Sequence, residues 1–143
     1  MVSIGDFTFP EDRSYSRDHI WVKVEEKDAR TAVMGIDGMG YAIAGKISII
    51  RVKKGGKPTA KGKTFGTMES GKGVVPLKSP LSGVITDVNP LMEEKKFDVM
   101  VNDPFEHWLV KIQYDDPSEL DDLIKGAGEI TKWAKIELAK MKK

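Results

Sequence analysis

Along residues 19–25, His-Ile-Trp-Val-Lys-Val-Glu mixes β-branched and aromatic side chains with polar ones, which predicts a strand. The polar stretch Glu26-Lys27-Asp28-Ala29 predicts a turn, and Arg30 to Ile36 the returning strand. Asp37 to Gly45 carries Gly38, Gly40 and Gly45 around Met39, Tyr41 and Ile43, and reads as a compact turn or short helix packed on a sheet. Ile47 to Val52 is strongly β-forming and is ended by Gly55-Gly56 and Pro58. Thr64 to Glu69, Val74 to Leu77 and Gly83 to Val88 are three further short strands, with Ser79 to Gly83 turning between the last two. His107 to Gln113 adds another around Trp108. Short strands at regular intervals, punctuated by Gly and Pro, predict an antiparallel sandwich or barrel.

The pattern changes after residue 115. Asp116-Pro117-Ser118-Glu119 supplies an N-cap, a proline at the first helical position and a Glu three after the cap. Leu120, Leu123 and Ile124 then share a helical face, and Gly126 with Gly128 is expected to stop that helix. Ile130, Trp133, Ala134, Leu138 and Met141 recur at helical spacing, opposite a lysine-rich face. The expected architecture is one domain over residues 1–143, mainly β, with a body at about 14–114 and peripheral C-terminal helices at about 117–141.

Composition narrows the function. A chain of 143 residues with 40% apolar and 31% charged residues suits a soluble globular protein with a real core. No apolar run reaches the length of a membrane span, and residues 1–18 hold no signal-peptide core, so a cytoplasmic protein is expected. The absence of cysteine removes disulfides, thiolate nucleophiles and zinc–thiolate or iron–sulfur sites. A formal net charge of +1 gives no global attraction to nucleic acid or anionic membrane. The lysines at 132, 135, 140, 142 and 143 read as the solvated face of a terminal helix.

Candidate chemistry then concentrates at Glu69-Ser70-Gly71-Lys72-Gly73-Val74. Two β-forming runs flank a Gly-X pair, the signature of a type II′ hairpin with Gly71 at the positive-φ corner and Lys72 beside it, pointing into solvent. Gly73 leaves the other shoulder bare for a modifying enzyme. A lysine so placed has reach, and the sheet beneath gives it direction. Exposed hairpin lysines are common, so the tip alone does not single out this one among 19. His19 and His107, each beside apolar residues, read as structural, and no metal set, nucleophilic triad or phosphate loop is evident. No catalytic residue is therefore expected.

A wider pattern supplies the specificity. Gly55-Gly56, Gly62, Met68-Glu69-Ser70, Lys72 and Ser79-Pro80-Leu81-Ser82-Gly83 resemble the lipoyl-domain pattern. Ser16-Arg17-Asp18-His19-Ile20-Trp21 is similar to the opening segment of the H-protein of the glycine cleavage system, and Gly35-Ile36 followed by Gly45 to its next glycine-bearing stretch. Glu69-Ser70-x-Lys72 matches the Glu-Ser-x-Lys around that family's lipoylated lysine. Asn102-Asp103-Pro104-Phe105, Trp108-Leu109 and Asp116 to Leu120 continue the agreement.

The resemblance implies a barrel-sandwich hybrid of the lipoyl-domain kind and a non-catalytic, monomeric carrier. It also implies lipoate on Lys72 as an amide, with Glu69, Ser70, Gly71 and Gly73 as hairpin support. The implied partners are glycine decarboxylase, an aminomethyltransferase, lipoamide dehydrogenase and a lipoate ligase or lipoyl transferase, with neither nucleic acid nor membrane involved. Because the arm brings its own sulfurs, a cysteine-free chain suffices. The chain departs from the family pattern in the glycines on both sides of Lys72, in Lys46 where an acidic residue is usual, in Gly38-Met39-Gly40 and in a short Pro104–Trp108 connection. Two alternatives therefore stand beside glycine cleavage. One is a lipoate carrier for a heterodisulfide-reductase-like sulfur-oxidising system; the other is an unmodified lipoyl-like binding module. Biotin is disfavoured, because Gly71 and Gly73 occupy the places of the two methionines usual in biotin carriers.

Overall fold

A computed structural model describes residues 1–142. Strands β3 (Ser14–Tyr15), β4 (Ile20–Glu26), β5 (Thr31–Ile36), β7 (Pro58–Thr59), β10 (Gly83–Val88) and β11 (Val110–Tyr114) form a six-stranded antiparallel sheet in the order β3-β4-β5-β11-β10-β7. Strands β6 (Ile47–Val52), β8 (Thr64–Ser70) and β9 (Gly73–Lys78) form a second, three-stranded sheet in the order β6-β8-β9. Side chains alternate across a strand, so each sheet offers one apolar face to the other. Ile20, Val22, Met34, Ile36, Ile85 and Ile112 meet Ile50, Phe65, Met68 and Leu77 in the main core. The result is the mainly β, barrel-sandwich-like arrangement expected from the pattern.

The opposite parity of β4 and β5 builds a second core. Trp21 and Val33 point away from the main core and pack with Phe9, Tyr15, Met39, Ile130 and Trp133. Two elements cover this face: a hairpin of β1 (Val2–Ile4) with β2 (Phe7–Phe9), and helix α3 (Ala127–Met141). The short helix α1 (Gly38–Ala44) is capped by Asp37, whose carboxylate accepts from the Gly40 amide at 2.8 Å. Helix α2 (Phe97–Asn102) sends Phe97 and Met100 into the main core.

Several sequence expectations are corrected. The strand expected over His107–Gln113 begins only at Val110, where its pairing with Met34 and Val88 starts; just before it the Trp108 carbonyl is engaged by the Asn89 side chain at 2.7 Å. Pro117–Asp122 is a single 3-10 segment, in which Asp116 caps the Ser118 amide as foreseen. Gly126 does not stop a helix; at φ 82 it begins α3, which runs through Gly128. The β1–β2 hairpin and α2 were not foreseen, being of three and six residues, too short to show a period.

Candidate functional site

Strands β8 and β9 are paired from Thr64↔Lys78 to Ser70↔Gly73, which leaves Gly71-Lys72 as a two-residue loop. Lys72 is exposed at its tip, as the Gly-X pattern predicted. The turn type is corrected: the positive φ falls on Gly73 (φ 132) and not on Gly71. Gly73 is thus the position of the turn that needs glycine, since a side chain at this φ is strained. A Cβ added at Gly71 or Gly73 would meet nothing within 4 Å, so both flanks of Lys72 are open.

Ser70 fixes the turn to the body. Its Oγ donates to the Ala44 carbonyl at the end of α1 (2.6 Å) and accepts the Lys72 amide at 3.2 Å. The aliphatic stem of Lys72 passes over Gly45, where a Cβ would stand 3.4 Å from Lys72 Cε. Gly45 takes φ 90 as the C-cap of α1 and donates to the Tyr41 carbonyl, a conformation that glycine adopts without strain. Glu69 sits on the outer face of β8, 3.9 Å from Arg51 Nε, and its carbonyl accepts from Ser48 Oγ at 3.1 Å. Ser48 lies in a bulge where the β6–β8 register shifts between Ile47 and Ile49.

Glu69, Ser70, Gly71, Lys72 and Gly73 are thus one surface feature, and Ala44, Gly45, Ser48 and Arg51 join them from α1 and β6. Gly45 already figured in the family-like pattern; Ser48 and Arg51 carried no signal, since their role depends on cross-strand pairing. The arrangement presents a primary amine on a braced backbone, with no bulk on either side. An acyl group of modest width on Lys72 Nζ is accommodated, and a lipoyl group fits that description.

His19 lies elsewhere and performs a different task. Buried, with φ 66, it donates through Nδ1 to Asp37 at 3.0 Å and through Nε2 to Glu137 of α3 at 2.9 Å. Burial alone would lower its pKa, but the hydrogen bonds and charges of Asp37 and Glu137 raise it. Burial pushes the Asp37 carboxyl up against the opposing pull of His19 and the Gly40 and Met39 amides. Glu137 is held below the usual carboxylate range: burial raises it, and Lys140 with His19 outweighs that. His107 stands apart, half-buried before β11. Among the described residues no group of three or more His, Asp or Glu could hold a metal ion, and no helix is long and apolar enough to cross a membrane.

Comparison with known proteins bears on this site. A family model described as "Glycine cleavage H-protein" matches residues 13–137. The "Probable glycine cleavage system H protein 2" of Sulfurisphaera tokodaii is 37% identical over 141 residues, covering 95% of this chain and 93% of its own. The glycine cleavage system H protein of Chlorobium limicola is 36% identical over 121 residues, covering 84% of this chain and 93% of its own. A crystal structure of a glycine cleavage system H protein from Mycobacterium marinum superposes with a TM-score of 0.74 at 25% identity, over 87% of this chain and 98% of that one.

Proposed function

This chain belongs to the glycine cleavage H-protein family, and from that premise we propose that it is a lipoyl carrier whose arm is attached at Lys72. The observation that carries the reading is the exposed lysine on a two-residue turn, braced by Ser70 and open on both flanks. The chain's own contribution is positional. β8 and β9 set the direction of the arm, Ser70 holds the turn against α1, and Gly71 and Gly73 let a ligase and later an active-site rim approach. When attached, the lipoyl group supplies the disulfide–dithiol chemistry through which glycine-derived aminomethyl groups are carried.

The protein acts as a non-catalytic subunit. It serves glycine decarboxylase, an aminomethyltransferase and lipoamide dehydrogenase after a lipoate ligase or lipoyl transferase has loaded it. The relatives are named for glycine cleavage, and they favour neither alternative raised from the sequence. The test is intact and peptide mass spectrometry of protein from its native host, or after incubation with a lipoate ligase, lipoate and ATP. One lipoyl increment on Lys72 is expected, with none on a Lys72→Arg variant of unchanged melting temperature. No increment in either setting, or one on another lysine, overturns the assignment.

A further inference from the structure

Charge along this chain is segregated. Residues 46–78 hold nine of the 23 Lys and Arg side chains and one of the 22 Asp and Glu, Glu69. That segment therefore carries +8 and the remainder −7, within a total of +1. It is also the segment that builds the arm-bearing sheet and its loops. Lys46 lies beside the hairpin, next to the Ile47↔Ser70 pair. Lys53, Lys54, Lys57, Lys63 and Lys78 gather at the other end, where Lys53 N–H donates to Phe65 and Ser79 N–H to Lys63. None of these six cations has a carboxylate within salt-bridge distance among the described residues, whereas Arg51 pairs with Glu69 and Lys61 with Asp122.

An apolar strip crosses the same face. Alternation puts Val74, Pro76 and Lys78 together on the outer side of β9, and Val74 is 60% exposed. An exposed apolar centre with a cationic surround has the anatomy of a docking face. From the tip to Lys78 the strand spans roughly 20 Å at ~3.3 Å per residue. A standard interface of ~800 Å² per partner is about 30 Å across. An interface that starts at the hairpin is therefore wide enough to reach the lysine end of the sheet.

We propose that the outer face of the β6-β8-β9 sheet docks the enzymes that receive the arm, through acidic surface on those enzymes surrounding the entrance to their active sites. The inference rests on the carrier reading of Lys72. A protein partner fits better than a polyanion: no exposed aromatic ring stands in the patch to stack a base, Phe65 being fully buried, and the rest of the surface repels phosphate.

The test uses full-length protein loaded on Lys72, with loading verified by mass, and the lipoamide dehydrogenase of the same organism. kcat/KM for the protein-bound arm is measured at 20 and 200 mM NaCl, with free lipoamide as reference. In the triple variant Lys54→Glu/Lys57→Glu/Lys63→Glu, kcat/KM at the lower salt is expected to fall about tenfold or more through KM, with the salt dependence largely lost. A control of equal charge change on α3 and its C-cap, Lys132→Glu/Lys135→Glu/Lys142→Glu, is expected to stay within about twofold, and free lipoamide turnover to be unchanged. Equal losses in the two variants, no loss in either, or tighter binding of a 20-base-pair DNA duplex than of the enzyme overturns the proposal. Failure to load Lys72 is a separate result, seen before any kinetics, and it removes the carrier reading and this inference with it.

Discussion

Ser70 is the residue on which the orientation of the Lys72 turn depends. One hydroxyl serves two backbones, donating to Ala44 and receiving the Lys72 amide, so it ties the end of α1 to the turn. A part-buried hydrogen bond of this kind contributes roughly 1 kcal/mol, and its loss leaves the Ala44 carbonyl to find water. Ser70→Ala is expected to lower stability by about 1 kcal/mol in urea unfolding and to speed hydrogen exchange at the Lys72 amide. Unchanged exchange at Lys72 would mean that the strand pairing alone holds the turn. Lys72 contributes almost nothing to stability by comparison, being a solvent-exposed turn residue.

At the scale of elements, α3 is held to the body by burial of Ile130, Trp133 and Ala134 and by one polar latch, His19 to Glu137. The two partners set opposite limits on pH. His19 has a raised pKa in the folded protein, so its contribution is full below the ordinary imidazole value of about 6.5 and is lost as pH rises through the raised value. Glu137 is lowered, so its contribution is full above the ordinary carboxyl value of about 4.3 and is lost as pH falls through the lowered one. Protection of α3 amides against exchange, corrected for intrinsic rates, is therefore expected to be greatest between about pH 4.5 and 6.5 and to decline above that window. The decline should flatten in His19→Gln. A wild-type profile that stays flat through pH 9 would show that the apolar contacts hold α3 unaided.

Legibility divides along the same line. β4, β6, β8 and β10 were readable because β-forming residues stand there between Gly, Pro and polar turns, and Lys72 with Glu69 and Ser70 was readable as a contiguous motif. His19 gave no hint of its carboxylate partners, since Glu137 lies 118 residues away in the chain. Gly40 looked like an interruption, yet a Cβ there would stand 2.8 Å from that of His19, so the helix can approach only with glycine in place. Such reasons exist only after folding has brought distant segments together.

For the molecule as a whole, the position of β9 at the rim of its sheet has a consequence for colloidal behaviour. Among the described residues the outer edge of β9 pairs with no other strand, and such an edge is a template for a strand of another copy. Ser70↔Gly73 closes a two-residue loop as a hydrogen-bonded pair, and alternation makes Thr67↔Pro76 a non-bonded one. The nitrogen of residue 76 accordingly faces the free rim, where proline has no hydrogen to offer. Pro76 thus denies a second chain one rung of the ladder, while Lys72 and Lys78 repel their counterparts on it. Pro76→Val is expected to leave loading of Lys72 intact but to raise the light scattering of concentrated solutions, most of all at high salt. Equal scattering from the two proteins would place the protection in the lysines alone. The exposure of the hairpin would otherwise invite the chain to polymerise, and a missing hydrogen together with two like charges stands against it.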